Sequence, residues 1–322
     1  MSRVTIIKTG DNYGLCNRLF PFAHLIASAT EYGWALKHLA FSEFSDYFEG
    51  TSQQSVPVFP PVSGRGGGAL EFPPRWLLGM TYRVLRKLKW HACICLGDHD
   101  TCDLSEPIVQ RALETNQSTQ LVGLYFYDSV AFQKHADLVR RYFRPVQAIR
   151  ELVTHSLRPA RESADVVVGV HIRHGDYQHF CGGIMYYTFA EYAQLMRTVS
   201  DLFPGQRVSF LICSNAQLPD EEFDGLRIHS GPGHVVGDVY ALAECDYIVG
   251  PPSTYSEWAS FYGEVPRYMH RAKDYEWNGQ KWPGVTLQDF VVHREGFARC
   301  SPTHPASLDG NNANAGTEST KG

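Results

Sequence analysis

Two hydrophobic periods alternate along the chain. Residues 4–10, VTIIKTG, form a short β-branched run closed by glycine, which predicts a strand. From about Asn17, the residues Leu19, Phe22, Ala23 and Ile26 repeat at i, i+3, i+4 and i+7, as an amphipathic helix requires. WALKHLAF, 34–41, reads as the next strand. A strand, loop, helix and strand in that order predict an α/β layer with ligands at the strands' carboxyl ends. Residues 50–74, with prolines, serines and RGGG, break the pattern and read as a long loop, either a mobile lid or a plain insertion. Pro145 is placed to start a helix over 146–157.

The second half alternates more regularly. Strands are expected at Val166–Ile172, 208–213, 226–229, 247–249 and 267–270, with helices over 189–203, 238–244 and 255–262. That pattern predicts a doubly wound parallel sheet, and two such sheets in tandem predict a cleft that takes a small molecule. The expected division is an N-terminal α/β domain over 1–150, a C-terminal α/β domain over 151–298, and a disordered tail over 299–322 that lacks apolar content.

The net charge of −5 and a pI near 6.3 speak against a general nucleic-acid binder, which carries a basic surface. The eight cysteines form no C-x-x-C pair, and several sit in apolar runs. Reduced, buried thiols and a cytoplasmic location are therefore expected. HACICLGDHDTC, 91–102, gathers His91, Cys93, Cys95, His99 and Cys102, but the spacing matches no standard zinc pattern, and a strand followed by a loop accounts for it. With a strand starting near residue 4 and no long apolar run, neither a signal peptide nor a transmembrane segment is expected.

The chemistry gathers where VVVGVHIRHGDY, 166–177, leaves its strand. An arginine fork just past a buried strand can neutralise a diphosphate through paired N–H donors. Arg173 stands at such a place; the alternative is a pair with Asp176 that holds the turn. Ser253, Thr254, Tyr255 and Ser256 follow a Gly-Pro-Pro turn and open a helix, where unpaired N–H groups bind anions or where a hydroxyl simply caps. Asp238 reads as the acidic first residue of a helix, and Asn17 as a helix cap. His171 is readable as a histidine satisfied at a strand end.

Two resemblances compete for these residues. Arg173-His174-Gly175 after a buried strand is similar to the histidine phosphatases, with His174 as nucleophile; in that family, however, the motif closes the first strand of the domain. Three separated stretches resemble the GDP-fucose-dependent fucosyltransferase superfamily. Gly14-Leu15-Cys16-Asn17-Arg18 is similar to its G-x-x-N-Q/R loop, and His171 through Tyr177 to its H-x-R-R-G-D-Y. The third runs from Asp238-Val239-Tyr240 through Asp246-Tyr247-Ile248 to Ser253-Thr254-Tyr255-Ser256. In order and spacing these imply a GT-B fold, two Rossmann-like doubly wound domains facing a cleft.

The resemblance implies an inverting, metal-independent transferase that moves L-fucose from GDP-fucose to a glycan or glycoconjugate hydroxyl, with no further cofactor. By it, Asp238 accepts the paired donors of guanine and His171 lies near base and ribose. Arg173 and the turn from Ser253 to Ser256 hold the diphosphate. Gly14, Asn17 and Arg18 face the donor sugar and acceptor, and Asp176 joins Arg173 and Asn17 as a candidate catalytic group. The sequence departs from the pattern at His174, which replaces a second arginine; restoring it by His174→Arg is expected to be tolerated. Asp176, His179 and Asp11 are in reach as a base, and none is singled out. A silent GDP-sugar-binding protein is the remaining alternative.

Overall fold

The computed structural model describes residues 5–9, 14–54, 56–61, 92–96, 100–116, 118–183, 185–270 and 285–294. Most of the predicted loop over 50–74, together with His91, His99, Asp11 and the tail, lies outside them. The first half carries β1 (Thr5–Thr9), helix α1 (Leu15–Tyr32), β2 (Ala35–His38), β3 (Val58–Phe59) and β4 (Ala92–Cys95). After these come β5 (Thr101–Asp103), α2 (Pro107–Thr115), β6 (Ser118–Val122) and β7 (Tyr125–Tyr127). A sheet in the order β3-β2-β1-β6-β4 results, parallel except for β3 at its edge, with β5 and β7 paired separately. The predicted strand over 34–41 stops at His38, where a 3₁₀ turn begins.

Two short helices, α3 (Ser129–Lys134) and α4 (Ala136–Tyr142), lead to α5 (Gln147–Ser163). The helix expected from 146 begins one residue later because Pro145 and Val146 are still extended. Pro145 bridges Phe48, and the Val146 N–H donates to the Tyr47 carbonyl at 3.0 Å. It runs past 157 because its buried stripe of Ile149, Val153, Leu157 and Ala160 continues at helical spacing.

The second sheet holds β8 (Val166–Ile172), β9 (Val208–Ser214), β10 (Ile228–Ser230), β11 (Tyr247–Gly250), β12 (Pro266–Met269) and β13 (Val291–Val292). Its order is β10-β9-β8-β11-β12-β13, and every pairing but the last is parallel. All seven residues of β8 are buried, as a central strand covered on both faces demands, and its β-branched run suits that place. Helices α6 (Phe189–Ser200), α7 (Val235–Leu242) and α8 (Thr254–Gly263) complete this half. The expected 189–203 helix ends at Ser200, and its start is fixed by a Thr188–Glu191 capping box.

The two halves share one hydrophobic cluster, running from Ile6 and α1 through Phe143 to Trp258. Trp258 is fully buried, with ring contacts to Phe20 at 5.2 Å and Phe143 at 5.4 Å. The Tyr240 hydroxyl adds a polar tie, donating to the Phe143 carbonyl at 2.6 Å. Deleting a core ring of Trp258's size costs about 3–5 kcal/mol, so this junction is built as core. A second cluster fills the other face of the second sheet.

Candidate active site

A cavity of about 270 Å³ opens where β8, β9 and β11 end, lined by His171, Arg173, Asn215, Asp238 and Tyr255 among others. Residues that lie far apart in sequence meet here because parallel strands deliver their following loops to one edge. His171 stacks on Tyr255, with ring centroids 5.0 Å apart. Gly250 makes room beside it, since a Cβ there would come within 2.9 Å of the His171 Cβ.

Burial, then the cations Arg173 and Arg267, push the His171 pKa down to about 3. The unfolded chain binds the extra proton between that value and the ordinary 6.5, so stability should fall as the pH drops through this window. His171→Phe, which keeps an aromatic face for Tyr255, should flatten that fall. Urea midpoints followed from about pH 7 to about pH 4 would show it; an unchanged slope would contradict the burial assigned here.

Arg173 pairs with Asp176, the turn-holding one of its two predicted roles. Its Nε donates to Asp176 Oδ1 at 3.1 Å and its Nη2 to Oδ2 at 2.8 Å, while the guanidinium lies 5.1 Å from the Tyr177 ring centre. The pair is open to solvent, with side chains 38% and 56% exposed. An exposed ion pair is worth only about 0–1 kcal/mol, whereas hydrogen bonds to charged groups contribute about 1.5–3 kcal/mol each. A diphosphate can therefore take over the fork at little cost. The adjacent Tyr177 hydroxyl donates to the Pro252 carbonyl at 2.9 Å, linking the arginine turn to the loop before α8.

Asp238 does not begin its helix, as the sequence suggested. Helix α7 starts at Val235 because the His234 ring caps it, Nδ1 accepting from Val236 and Gly237 N–H at 3.2 and 3.1 Å. Asp238 Oδ1 reaches back to the N–H groups of Gly233 and His234 at 2.7 and 3.3 Å. Among the described residues nothing donates to its Oδ2. Burial raises the carboxyl above its ordinary value, and those two N–H groups pull it back.

The predicted anion turn is divided. Ser253 is the N-cap of α8, its Oγ accepting from the Tyr255 N–H at 3.3 Å. The Thr254 hydroxyl donates across the junction to Asn17 Oδ1 at 2.7 Å. The Tyr255 hydroxyl ties α8 to α7 through the Val235 carbonyl at 2.7 Å. Ser256 is fully buried and accepts from Arg267 Nη1 at 3.1 Å, so its side chain serves the core and not an anion.

In the first half, Asn17 is not a cap: α1 starts at Leu15 behind Gly14, and Asn17 spends its carbonyl on Thr254. Gly14 is exposed, with nothing within 4 Å of where a Cβ would stand. Arg18 does not face the cleft freely. It is buried against its own half, donating to the Ala40 carbonyl at 3.0 Å and pairing with Glu43 at 2.8 Å.

His174 lies opposite Arg173, as alternation along an extended chain predicts, but its surroundings correct the expected tolerance of arginine there. Its ring leaves the chain on the side away from the cavity, sits against Phe189 at 4.2 Å and Tyr186 at 4.8 Å, and meets the Tyr187 carbonyl through Nε2 at 2.8 Å. Burial lowers its pKa. A ring so placed is neither a second phosphate cation nor a phosphatase nucleophile, and the phosphatase reading falls with it. Asn215, beside Arg173, was missed, although the rule that ligands gather after strand ends points to the residue following β9. The thiols also differ from expectation in part: Cys16, Cys213 and Cys245 are buried, but Cys93 and Cys102 are half-buried and Cys95 is exposed. Among the described residues no three His, Cys, Asp or Glu side chains gather as a metal site, and no helix is long and apolar enough to cross a membrane.

No family model and no curated protein matches the chain. Solved structures do. A mutant of Arabidopsis thaliana FUT1 in complex with GDP superposes with a TM-score of 0.54 at 15% identity, over 84% of this chain and 71% of that one. The α-1,6-fucosyltransferase NodZ co-crystallised with GDP gives 0.52 at 17% identity, over 84% and 96%. POFUT1 in complex with GDP gives 0.51 at 12% identity, over 83% and 98%. At these identities the likeness is one of architecture, and the two parallel sheets joined through α1 and α8 form a GT-B fold.

Proposed function

We propose that the chain is an inverting fucosyltransferase that moves L-fucose from GDP-fucose to a glycan or glycoconjugate hydroxyl without a metal ion. The observation that carries this reading is the meeting of His171, Arg173, Asp238 and Tyr255 around one cavity at the carboxyl edge of the second sheet. Three structures with the same fold, one of them an α-1,6-fucosyltransferase by name, were solved with GDP. Residues 1–150 furnish the acceptor side and 151–298 the nucleotide side.

Breaking the anomeric C–O bond leaves growing charge on the diphosphate. Arg173 meets that charge with two parallel N–H donors once Asp176 has yielded the fork. Asp176 thereby acts as a placeholder that keeps the guanidinium extended before the donor arrives. The first-turn N–H groups of α8 add their dipole to the same end of the leaving group. The Asp238 carboxylate, through Oδ2, faces the guanine N1–H and 2-amino group together, a paired donor edge that adenine and uracil lack. Asn17, tied to Thr254, holds the first half's glycine loop against the nucleotide half. No side chain is assigned as acceptor base.

Calorimetry with GDP, ADP and UDP tests the reading. GDP should bind best, and Asp238→Asn should weaken it by about 1–3 kcal/mol through loss of a charge-assisted bond. Equal affinity for the three nucleotides would sink the guanine assignment. Labelled GDP-fucose incubated in EDTA with a glycan array then separates transferase from silent binder. Fucosylated product supports transfer, while binding with no turnover, or turnover that requires added divalent metal, overturns it.

A further inference from the structure

The arginine turn is fixed from a direction that its own motif does not contain. Strands β8 and β9 pair as far as Ile172 and Ser214. There β9 turns away, and the Ser214 hydroxyl accepts from the Ala216 N–H at 3.1 Å. The backbone ladder ends, yet the backbone polar groups of His174, just beyond β8, are both paired. Asn215 Oδ1 accepts from the His174 N–H at 2.9 Å, and Asn215 Nδ2 donates to the His174 carbonyl at 3.2 Å. One side-chain amide thus replaces the missing strand, its acceptor and donor matched to those of a residue in an extended chain. The turn that follows needs Gly175, at φ +62°, and a Cβ there would stand 3.4 Å from Asn215 Nδ2.

We infer that Asn215 is a positioning residue for Arg173, acting through the His174 backbone, and that it sets how well the fork grips a diphosphate. The peptide unit joining Arg173 to His174 carries one of these bonds, so its plane cannot rotate while the amide holds it. Among the described residues, the guanidinium itself meets the partly exposed Asp176 and the Tyr177 ring. Its aim therefore depends on the direction in which the backbone launches it. Only an amide fits: aspartate would set a carboxylate oxygen against the His174 carbonyl, and alanine would leave both groups without this partner. Misaiming a charge clamp by a small angle costs affinity and rate out of proportion to the size of the displacement.

The inference rests on the GDP-binding reading, so binding of GDP by the wild-type chain is measured first; its failure removes that reading before any variant is made. Affinities of GDP and guanosine are then compared for wild type, Asn215→Ala, Arg173→Ala and the double variant. Asn215→Ala should weaken GDP about tenfold or more while changing guanosine less than about twofold, and in the Arg173→Ala background it should add less than about twofold. Asn215→Asp, which keeps the acceptor and loses the donor, should fall between wild type and alanine. Equal losses for GDP and guanosine, a full extra loss in the absence of Arg173, or an aspartate variant equal to wild type would each overturn the inference. The first two would make Asn215 a direct nucleotide contact or a general structural residue. Should alanine fail to fold, the aspartate variant read in both Arg173 backgrounds decides the question alone.

Discussion

Arg173→Ala should lower turnover by on the order of a hundredfold or more, as loss of a preorganised donor to transition-state charge does. The fork sits at the cavity wall, paired with the exposed carboxylate of Asp176. The charge it faces grows as the glycosidic bond breaks, so the loss should fall on kcat more than on KM for the donor. Arg173→Lys should rescue poorly, because a single ammonium cannot make two parallel bonds. Asp176→Asn gives the internal control. It frees the fork, so donor KM should hold or fall, whereas a catalytic carboxylate would make this variant as damaged as Arg173→Ala. Full activity of Arg173→Lys would remove the diphosphate role from this residue.

What the sequence disclosed follows from what a one-dimensional pattern can carry. The strand Val166–Ile172 was readable to the residue, because only a central parallel strand tolerates seven consecutive buried positions. Helix starts were less legible where their determinants are tertiary. His234 caps α7 with an imidazole instead of a hydroxyl or carboxylate, and Val146 stays extended because Tyr47 and Phe48 hold that stretch. The cavity residues His171, Arg173, Asp238 and Tyr255 were legible since each follows or faces a strand end within a motif. Ser256 and Arg18 were not separable from their neighbours, since whether a hydroxyl or a guanidinium turns to the cleft depends on Arg267 and Glu43. Asn215 carries no motif at all; its use follows from β9 ending where the chain beyond β8 stays extended as far as His174.

His174→Arg, which the family pattern suggested would be tolerated, should instead destabilise the protein severely. The ring it replaces is 7% exposed, packed between Tyr186 and Phe189, with the Tyr187 carbonyl as its side-chain partner. A guanidinium there keeps its charge, brings five N–H donors to that acceptor, and is larger than the imidazole. An uncompensated buried charge costs about 3–5 kcal/mol, a large fraction of the stability of an ordinary domain. His174→Phe separates packing from chemistry. It fills the same aromatic site and gives up only the bond to the Tyr187 carbonyl, so it should cost about 1–3 kcal/mol while leaving GDP binding close to wild type. Urea denaturation of both variants, with GDP titration of the phenylalanine form, checks the assignment. A phosphohistidine mechanism demands the opposite result, because phenylalanine cannot carry a phosphoryl group. Loss of all activity in a folded His174→Phe chain, with a phosphorylated His174 trapped in the wild type, would restore the phosphatase and remove the transferase.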